Sequence, residues 1–388
     1  LLYWFSTNSV TNHNEINKFL NHLDDFNLDN YIKAIHFDEM KIPFLPFYKS
    51  ISKTYYGIDE MKQGELDFFK STVLSKSNEP VFMCSDMPMD DMAKDIEFGK
   101  KWMFAIAMTL KKGLHLNIIH NLDRPFNEMM LGLESWIPIY MTGQVSPYYL
   151  TGLQNSTYCH LNYVSGSVAL TGECVKGYHN NGKYRLTSNK TEVTYYKEKS
   201  KCLLNKAKPL MSIYRTENQN AFNVFISSDI AIKGKRKRIL SSLPFHTISN
   251  ELLIKILKRN NVDEENITSL LESLEMQKHI MQKLLANNIV EDEIAILSEE
   301  EFKKYTPILS LSDTFYTDNI CYTYEEYLEH LSDTKKYMKN SKNYKILFSK
   351  TNTFRNINIT IHSNKWVMVS KNMHPAIHFV IYHPKLRD

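Results

Sequence analysis

The chain has 388 residues, of which 47 are Lys or Arg and 43 are Asp or Glu, so its formal net charge is only +4. Hydrophobic residues make up 43% of the chain, which excludes a disordered protein and predicts a sizeable core in two or three domain-sized units. This charge balance does not by itself require a nucleic-acid partner.

Cysteine usage and hydropathy exclude further classes. The five cysteines are scattered without a C-x-x-C pair, which argues against a disulfide framework or a zinc ribbon and favours a reducing cytoplasm. No stretch reaches the roughly 18 consecutive apolar residues of a membrane span. "LLYWF" is too short for a signal-peptide core, and because the sequence begins with Leu we expect a missing N-terminal piece. We predict no metal site and no cofactor.

Residues 1–50 predict a helical and extended connector. In "NEINKFLNHLDDF" the apolar residues recur at helical spacing. "KIPFLPFYKS" carries two prolines among apolar residues, which is typical of an extended segment packed on a domain surface.

Residues 51–230 predict a first α/β half. Helices are predicted at "YYGIDEMKQGELDFFKSTVL", "IEFGKKWMFAIAMTLKKG", "PFNEMMLGLESWIPIYM" and "NKTEVTYYKEKSKCLLNKAKPLMSIYR". Strands are predicted at "EPVFMCSD", "LHLNIIH", "QVSPYYL" and "STYCHLNYVSGSVALTGE". This alternation indicates an α/β layer with helices flanking a mostly buried sheet.

Residues 231–388 predict a second α/β half with an inserted helical hairpin. "KGKRKRILSSLPF" is a basic run followed by a predicted strand. Helices are predicted at "SNELLIKILKRNN", "NITSLLESLEMQKHIMQKLLANN" and "YTYEEYLEHLSDTKKYMKN", and strands at "YKILFSK", "NINITIHSNKWVMVSK" and "AIHFVIY". The hairpin has a long acidic turn and no dense basic face, so we expect it to pack on the sheet without reading bases.

Polar residues gather in the turn after "LHLNIIH". His120, Asp123 and Arg124 arrive together just before a predicted helix, where free N–H groups favour an anionic ligand. The alternative is a helix cap, in which Asp123 accepts backbone N–H groups and Arg124 pairs with an acid. "CSD" at 84–86 follows another predicted strand, but Cys84 as a nucleophile would need a base, and a buried structural thiol is favoured.

A short pattern occurs once in each half. His160 and Asn162 lie in "HLN", and His362 and Asn364 lie in "HSN". On a strand, residues two apart share a face, so we predict that each pair points the same way.

The element order around the first pattern resembles one half of the phospholipase D-like fold. In that family each half carries H-x-K-x4-D, and one His attacks phosphorus while the other protonates the leaving group. Here the histidines match, but the lysines and aspartates are replaced by Asn162, Ser167, Asn364 and Val369. Because the lysines neutralise the phosphoryl oxygens, the resemblance implies a pseudo-enzyme scaffold over roughly residues 51–388, built from two phospholipase D-like α/β halves.

The whole chain is also similar to cytoplasmic Firmicute regulators that begin with a lambda-repressor-like helix-turn-helix domain. The stretches that carry this resemblance include "FLNHLDDFNLDNYIKAIHFDE", "YYGIDEMKQGELDFF", "VFMCSDMPMDDMAKD", "KKGLHLNIIHNLDRPFNEMMLGLESWIPIYMTGQVSPYYL", "LTGECVKGYHNNGKY" and "NKWVMVSKNMHPAIHFVIYHPKLRD". The resemblance implies that DNA is bound through an N-terminal domain absent from these residues. The basic run at 233–238 suits phosphate contact by charge, although such runs are more often solvated loops.

These observations lead to one main functional hypothesis and two alternatives. We expect a non-catalytic sensory or effector module, dimeric, that binds a polar or anionic small molecule in a cleft between the halves. Its predicted lining is His120, Asp123, Arg124, His160, Asn162, His362 and Asn364. The first alternative is a phosphodiesterase or nuclease that uses His160 and His362. The second is a dimerisation platform without a ligand.

Overall fold

The computed structural model describes residues 20, 21, 23–25, 52–87, 95–123, 125–151, 157–349, 354–373 and 375–387. Most of the predicted connector, residues 1–50, lies outside these ranges. The chain divides after Met211 into two compact units, and the second unit includes the described residues between 20 and 25. The sequence placed this division after residue 230, because it did not detect the strand and helix that begin the second unit.

The first unit contains an eight-stranded sheet. Its strands are β1 (Ser52–Tyr56), β2 (Val81–Ser85), β3 (Leu116–His120), β4 (Val145–Leu150), β5 (Tyr158–Val164), β6 (Ala169–Val175), β7 (Lys183–Thr187) and β8 (Ala207–Pro209). They are ordered β1-β7-β6-β5-β2-β3-β4-β8. The central strands β2, β3 and β4 run parallel, and β5 pairs antiparallel with β2.

Helices cover both faces of this sheet. They are α1 (Gly57–Leu74), α2 (Ile96–Lys111), α3 (Phe126–Tyr140) and α4 (Lys190–Lys206). Phe68 and Phe69 of α1 are completely buried and contact the ring of Tyr163. On the opposite face, Val193 of α4 packs with Val164 of β5.

Local sequence signals explain where these helices begin and end. Asp95 accepts a hydrogen bond from the N–H of Phe98 and so caps α2. Asn189 caps α4 by accepting from two backbone N–H groups. Gly113, just after α2, adopts φ +86°, a left-handed conformation that favours glycine.

The second unit contains a seven-stranded sheet. Its strands are β9 (Met211–Tyr214), β10 (Arg236–Leu240), β11 (Val290–Ala295), β12 (Tyr344–Ser349), β13 (Ile357–His362), β14 (Trp366–Lys371) and β15 (Ile377–Ile381). Its helices are α5 (Gln219–Ile230), α6 (Asn250–Arg259), α7 (Glu264–Asn287), α8 (Glu299–Lys304), α9 (Tyr324–Asn340) and α10 (Pro384–Arg387). The sheet order is β12-β11-β10-β13-β14-β15-β9.

The two sheets repeat one topology. Three parallel strands, β10, β11 and β12, correspond to β2, β3 and β4, and the antiparallel strands β13, β14 and β15 correspond to β5, β6 and β7. The crossover between β10 and β11 holds the hairpin of α6 and α7, and the corresponding connection of the first unit holds α2. The expected fold class, two α/β halves with a helical insertion in the second, is therefore confirmed.

The inserted hairpin is an apolar layer of the second unit. Leu253 and Ile256 of α6 are fully buried and belong to the same cluster as Leu274 of α7. This packing confirms the expectation that the hairpin lies against the sheet. No helix among the described residues is long and apolar enough to cross a membrane.

Candidate functional site

His160 stands at the start of β5 between two carboxylates. Its Nδ1 lies 3.5 Å from Asp86, which follows β2, and its Nε2 lies 3.7 Å from Glu173 on β6. The backbone N–H of His160 also donates to the Asp86 carboxylate. The imidazole is 47% exposed. This arrangement presents a histidine and two acids to solvent, and Asn162 stands at the position where phospholipase D-type phosphoryl transfer needs a lysine.

Asn162 lies two residues further along β5 and is buried. Only 6% of it is exposed, and neither its Nδ2 nor its Oδ1 has a hydrogen-bond partner among the described residues. It faces Cys84 on β2 and Thr171 on β6. Burial, followed by the charge of Asp86, raises the pKa of the Cys84 thiol to about 12, so this cysteine is a neutral thiol rather than a nucleophile.

His120 points to the other face of the same sheet. Ser85 pairs with both His120 and Leu161, so these three side chains share one face. Leu161 separates His160 from Asn162, and both of those point to the opposite face. His120 therefore does not join them in one pocket. Side chains alternate between the two faces of a strand, and the sequence alone does not show which residues of neighbouring strands lie opposite each other.

The environment of His120 is aromatic. Its Nε2 lies 2.7 Å from the hydroxyl of Tyr140, and its ring meets the ring of Trp136 edge-on at 5.8 Å. Both aromatic residues belong to α3. His120 therefore helps to attach α3 to the end of β3.

The turn after β3 does not form the alternative cap. The N-cap position of α3 is Pro125, and no side chain of a described residue caps this helix. Asp123 is exposed, and its own N–H donates to Asn121 Oδ1 at 2.9 Å. Arg124 lies outside the described residues.

His362 does not occupy the position that corresponds to His160. In the first unit Phe82, the second residue of β2, pairs with Val164; in the second unit Lys237, the second residue of β10, pairs with Ile361. Counting back along each strand places Ile357 where the first unit has His160, and Ile359 where it has Asn162. The predicted pairing of the two H-x-N patterns is therefore wrong.

The turn positions explain this error. The hairpin after β5 begins five residues beyond His160, whereas His362 is itself the last residue of β13. Asn364 lies in the turn with φ 60°, not on a strand, so His362 and Asn364 do not share a strand face. Asparagine tolerates this left-handed conformation better than most residues do.

His362 is part of a buried charge network. It is completely buried, and its Nδ1 donates to Asp229 Oδ1 at 2.8 Å. Trp366 Nε1 donates to the same oxygen at 2.8 Å, and Arg236 binds Asp229 Oδ2 through Nε and Nη2 at 2.9 and 2.7 Å. A Cβ on Gly234 would lie 2.5 Å from His362 Nε2, so the backbone covers that nitrogen. His362 is therefore not placed to attack a substrate.

The basic run at 233–238 overlaps the strand that was predicted to follow it, because β10 begins at Arg236. The last four of its five cations each pair with an acid, and three of these acids lie on the parallel neighbour β11. The pairs are Lys235–Glu291 at 2.9 Å, Arg236–Asp229 at 2.7 Å, Lys237–Glu293 at 3.0 Å and Arg238–Asp292 at 2.6 Å. This neutralisation leaves little charge for phosphate contact.

A cavity of ≈ 110 Å³ lies inside the second unit. Its walls are largely apolar and come from α5, α7 and the sheet. Its polar lining is Asn223, Asp229, Arg236, Arg238, His246, Gln277, Asp313 and Thr360. His246 is 3% exposed, and in the part of the chain that the structure describes its Nε2 has no hydrogen-bond partner. Burial, and then the charge of Arg238, hold the pKa of His246 well below its usual range, so this imidazole is neutral.

The sequence did not predict this cavity. Its lining comes from segments far apart in the chain, and the residues on its walls have the spacing of ordinary core positions. The unpartnered nitrogen of His246 is the feature that marks it. A histidine in "PFH" carries no such signal in sequence.

No family model and no curated protein matches the chain. Solved structures similar to it include TrmBL2, an archaeal chromatin protein described with a novel mode of DNA binding, at 11% identity, 47% of this chain, 60% of that chain and a TM-score of 0.30. A second is NucT from Helicobacter pylori, at 15% identity over 42% of this chain and 99% of that chain, with a TM-score of 0.27. A third is Nuc, a phospholipase D family member from Salmonella typhimurium, at 10% identity over 42% of this chain and 98% of that chain, with a TM-score of 0.30. A likeness to the phospholipase D family is thus found among solved structures, while membership of the Firmicute regulators stays a prediction.

Proposed function

We propose that this chain is a non-catalytic, ligand-binding module of a bacterial transcription regulator. The observation that carries the non-catalytic part is the pair Ile357 and Ile359, which stand where the first sheet has His160 and Asn162. An isoleucine can neither attack phosphorus nor protonate a leaving group. With Ile357 at the position of the second histidine and Asn162 at the position of the lysine, His160 by itself does not complete the phospholipase D-type chemistry.

The cavity of the second unit is the proposed ligand site. Arg236 and Arg238 are each compensated by a carboxylate, and Asp313 adds a further negative charge, so the lining disfavours an anion. We therefore narrow the ligand class to small uncharged polar molecules. His246 Nε2 would hydrogen-bond the polar group, and α5 and α7 would cover the apolar part. For comparison, an engineered cavity of roughly 150 Å³ binds benzene, so we expect a ligand no larger than a single ring with a small polar group.

The regulator assignment is supported by the whole-chain resemblance to helix-turn-helix proteins. DNA contact belongs in this proposal to the helix-turn-helix domain, because the basic strand β10 is neutralised by its partners. A ligand that stabilises the second unit would signal by shifting the population of its conformations. Homodimerisation remains part of the proposal, and sedimentation equilibrium measures it directly.

The catalytic question is tested by hydrolysis of bis-p-nitrophenyl phosphate. We expect the wild-type chain and His160→Ala to show the same background rate. Turnover by the wild type that His160→Ala abolishes would establish the phosphodiesterase alternative instead.

The ligand site is tested by ligand-observed NMR with phenol and benzamide, and with benzoate as the anionic counterpart. Met276 lines the cavity and is 44% exposed, so Met276→Trp should block it. Leu328→Trp is a matched control, because Leu328 is also 44% exposed but does not line the cavity. We expect the neutral probes to bind the wild type and Leu328→Trp but not Met276→Trp. Equal binding by both variants would place the probes elsewhere.

A further inference from the structure

Two cysteines and a histidine converge on one face of the first sheet. Cys159 on β5 lies directly opposite Cys174 on β6, and both are only 4% exposed. A ring nitrogen of His179 and the two sulfur atoms lie within 4.8 Å of one another. These residues play no part in the proposed function, so any role they have is independent of it.

A tight turn brings the histidine back to the cysteines. The N–H of Tyr178 donates to the carbonyl of Val175 at 2.9 Å, and Gly177 between them has φ +85°. A turn with a left-handed third residue favours glycine there. The chain therefore reverses just after β6, and His179 reaches the sulfur atoms from the turn.

A thioether completes the group. Met87, which follows β2, has its Sδ 3.7 Å from Cys174 Sγ, and the hydroxyl of Tyr184 lies 3.8 Å from the same Sδ. Sulfur ligands at about 2.3 Å from one tetrahedral ion stand roughly 3.8 Å apart. The separation of Met87 and Cys174 therefore already suits two ligands of one ion.

We propose that Cys159, Cys174 and His179, with Met87 as a fourth ligand, bind a soft metal ion, Zn²⁺ or Cu⁺. Thiolate and thioether ligands select these two ions over harder ones. Binding forms two metal–thiolate bonds, one metal–imidazole bond and one metal–thioether bond, and the two thiol protons are released to solvent. A small closure of the three ligating atoms brings them to bonding distance.

Electrostatics fit a site that is protonated when empty. Burial and the charge of Asp86 raise the pKa of Cys159 to about 11, and burial also raises the pKa of Cys174. The two thiols are therefore neutral without metal. A cation would be attracted by the same Asp86 that opposes their ionisation.

A disulfide is the competing chemistry, because the two cysteines are cross-strand neighbours. A disulfide needs neither an imidazole nor a thioether, and both stand at this point of the sheet. The expectation of no metal site rested on the absence of a C-x-x-C pair. Here the hairpin register brings together cysteines 15 residues apart.

The experiment is a metal titration of the whole chain, reduced and stripped with chelator under anaerobic conditions. Co²⁺ serves as the spectroscopic probe for Zn²⁺, and Cu⁺ is titrated separately. We expect one equivalent of either metal and a thiolate-to-cobalt charge-transfer band. Cys159→Ser, Cys174→Ser and His179→Gln should each weaken binding at least about a hundredfold, since loss of an outer-shell partner alone weakens it 10- to 100-fold. Met87→Leu should weaken Cu⁺ binding more than Zn²⁺ binding.

Cys202→Ser is the matched control, because Cys202 is an exposed cysteine on α4 outside the cluster. It should bind metal as the wild type does. Circular dichroism separates misfolding from ligand loss, and His179→Gln keeps both cysteines in place. The proposal is overturned if the reduced protein binds no metal, if His179→Gln binds as tightly as wild type, or if Cys202→Ser loses the ion equally.

Discussion

The imidazole of His362 donates a 2.8 Å hydrogen bond to Asp229, and both side chains are buried. The same carboxylate holds Arg236 through its other oxygen. The Asp229 carboxylate thus accepts hydrogen bonds from a guanidinium, an imidazole and an indole at the C-terminal end of α5. The histidine that the sequence offered as a catalytic partner is instead part of the structural core of the second unit.

Replacing the acid of this network should strongly destabilise the second unit. Asp229→Asn leaves Arg236, only 4% exposed, without its counter-charge and turns an NH₂ group towards existing donors. We expect a loss of about 3–5 kcal/mol in the free energy of unfolding, as for other broken buried ion pairs. Urea denaturation measures it. A loss below about 1 kcal/mol would mean that water replaces the carboxylate.

The charge ladder between β10 and β11 offers an internal comparison. Arg238 binds Asp292 with two hydrogen bonds of 2.6 Å, and the side chain of Asp292 is completely buried. Arg238→Gln should therefore cost about 3–5 kcal/mol. Lys237 and Glu293 are each 28% exposed, so Lys237→Gln should cost less than about 1 kcal/mol. Similar losses in both variants, measured by urea denaturation, would contradict this distinction.

Apolar runs made part of this fold predictable. "VFMCS" and "LNIIH" became β2 and β3. The start of α4 was located at its Asn189 cap, but its predicted end at Arg215 lies nine residues beyond the observed one at Lys206. Strands β1 and β7 were missed because neither contains an apolar run: β1, at the sheet edge, is mostly exposed, and in β7 the exposed Lys183 and Arg185 alternate with buried residues. β11 was missed because Glu291 and Glu293 project towards lysines of β10, so its acidic sequence resembles a loop.

The candidate site was harder to predict, because it depends on register between strands. His160 and His362 looked equivalent in sequence, but a shift of five residues separates them from corresponding positions. The cluster of Cys159, Cys174 and His179 could not be predicted, because its residues are far apart in the sequence and share no motif. Its residues become neighbours only through the pairing of β5 with β6.

The buried amide of Asn162 should be replaceable with a gain in stability. Both of its polar atoms lack a partner, and such a group costs about 1–3 kcal/mol. We expect Asn162→Leu to raise the free energy of unfolding by an amount in this range, because leucine has a similar size and no polar atom. Thr171→Val at the facing position of β6 serves as the control for a change of polarity alone. A loss of stability in Asn162→Leu would indicate that the amide binds something in solution.

A buried acid in the first unit should make stability depend on pH. Glu65 of α1 is 1% exposed and accepts a 2.8 Å hydrogen bond from Trp102 Nε1. Burial raises its pKa from 4.5 to about 8. Between these two values the folded chain holds a proton that the unfolded chain has lost. The contribution of Glu65 to stability therefore falls as the pH rises through this window and is constant above it.

Glu65→Gln removes this titration and keeps an acceptor for Trp102. As the pH rises from 5 to 8.5, we expect the free energy of unfolding of the variant to increase relative to that of the wild type by about 1–3 kcal/mol. The upper limit is roughly 5 kcal/mol, because each unit of pKa shift corresponds to 1.36 kcal/mol. Urea denaturation at several pH values measures the difference. Glu272→Gln, at an exposed position of α7, should differ from the wild type by the same amount at every pH. A pH-independent difference for Glu65→Gln as well would show that Glu65 is ionised in the folded chain, with water or a cation beside it.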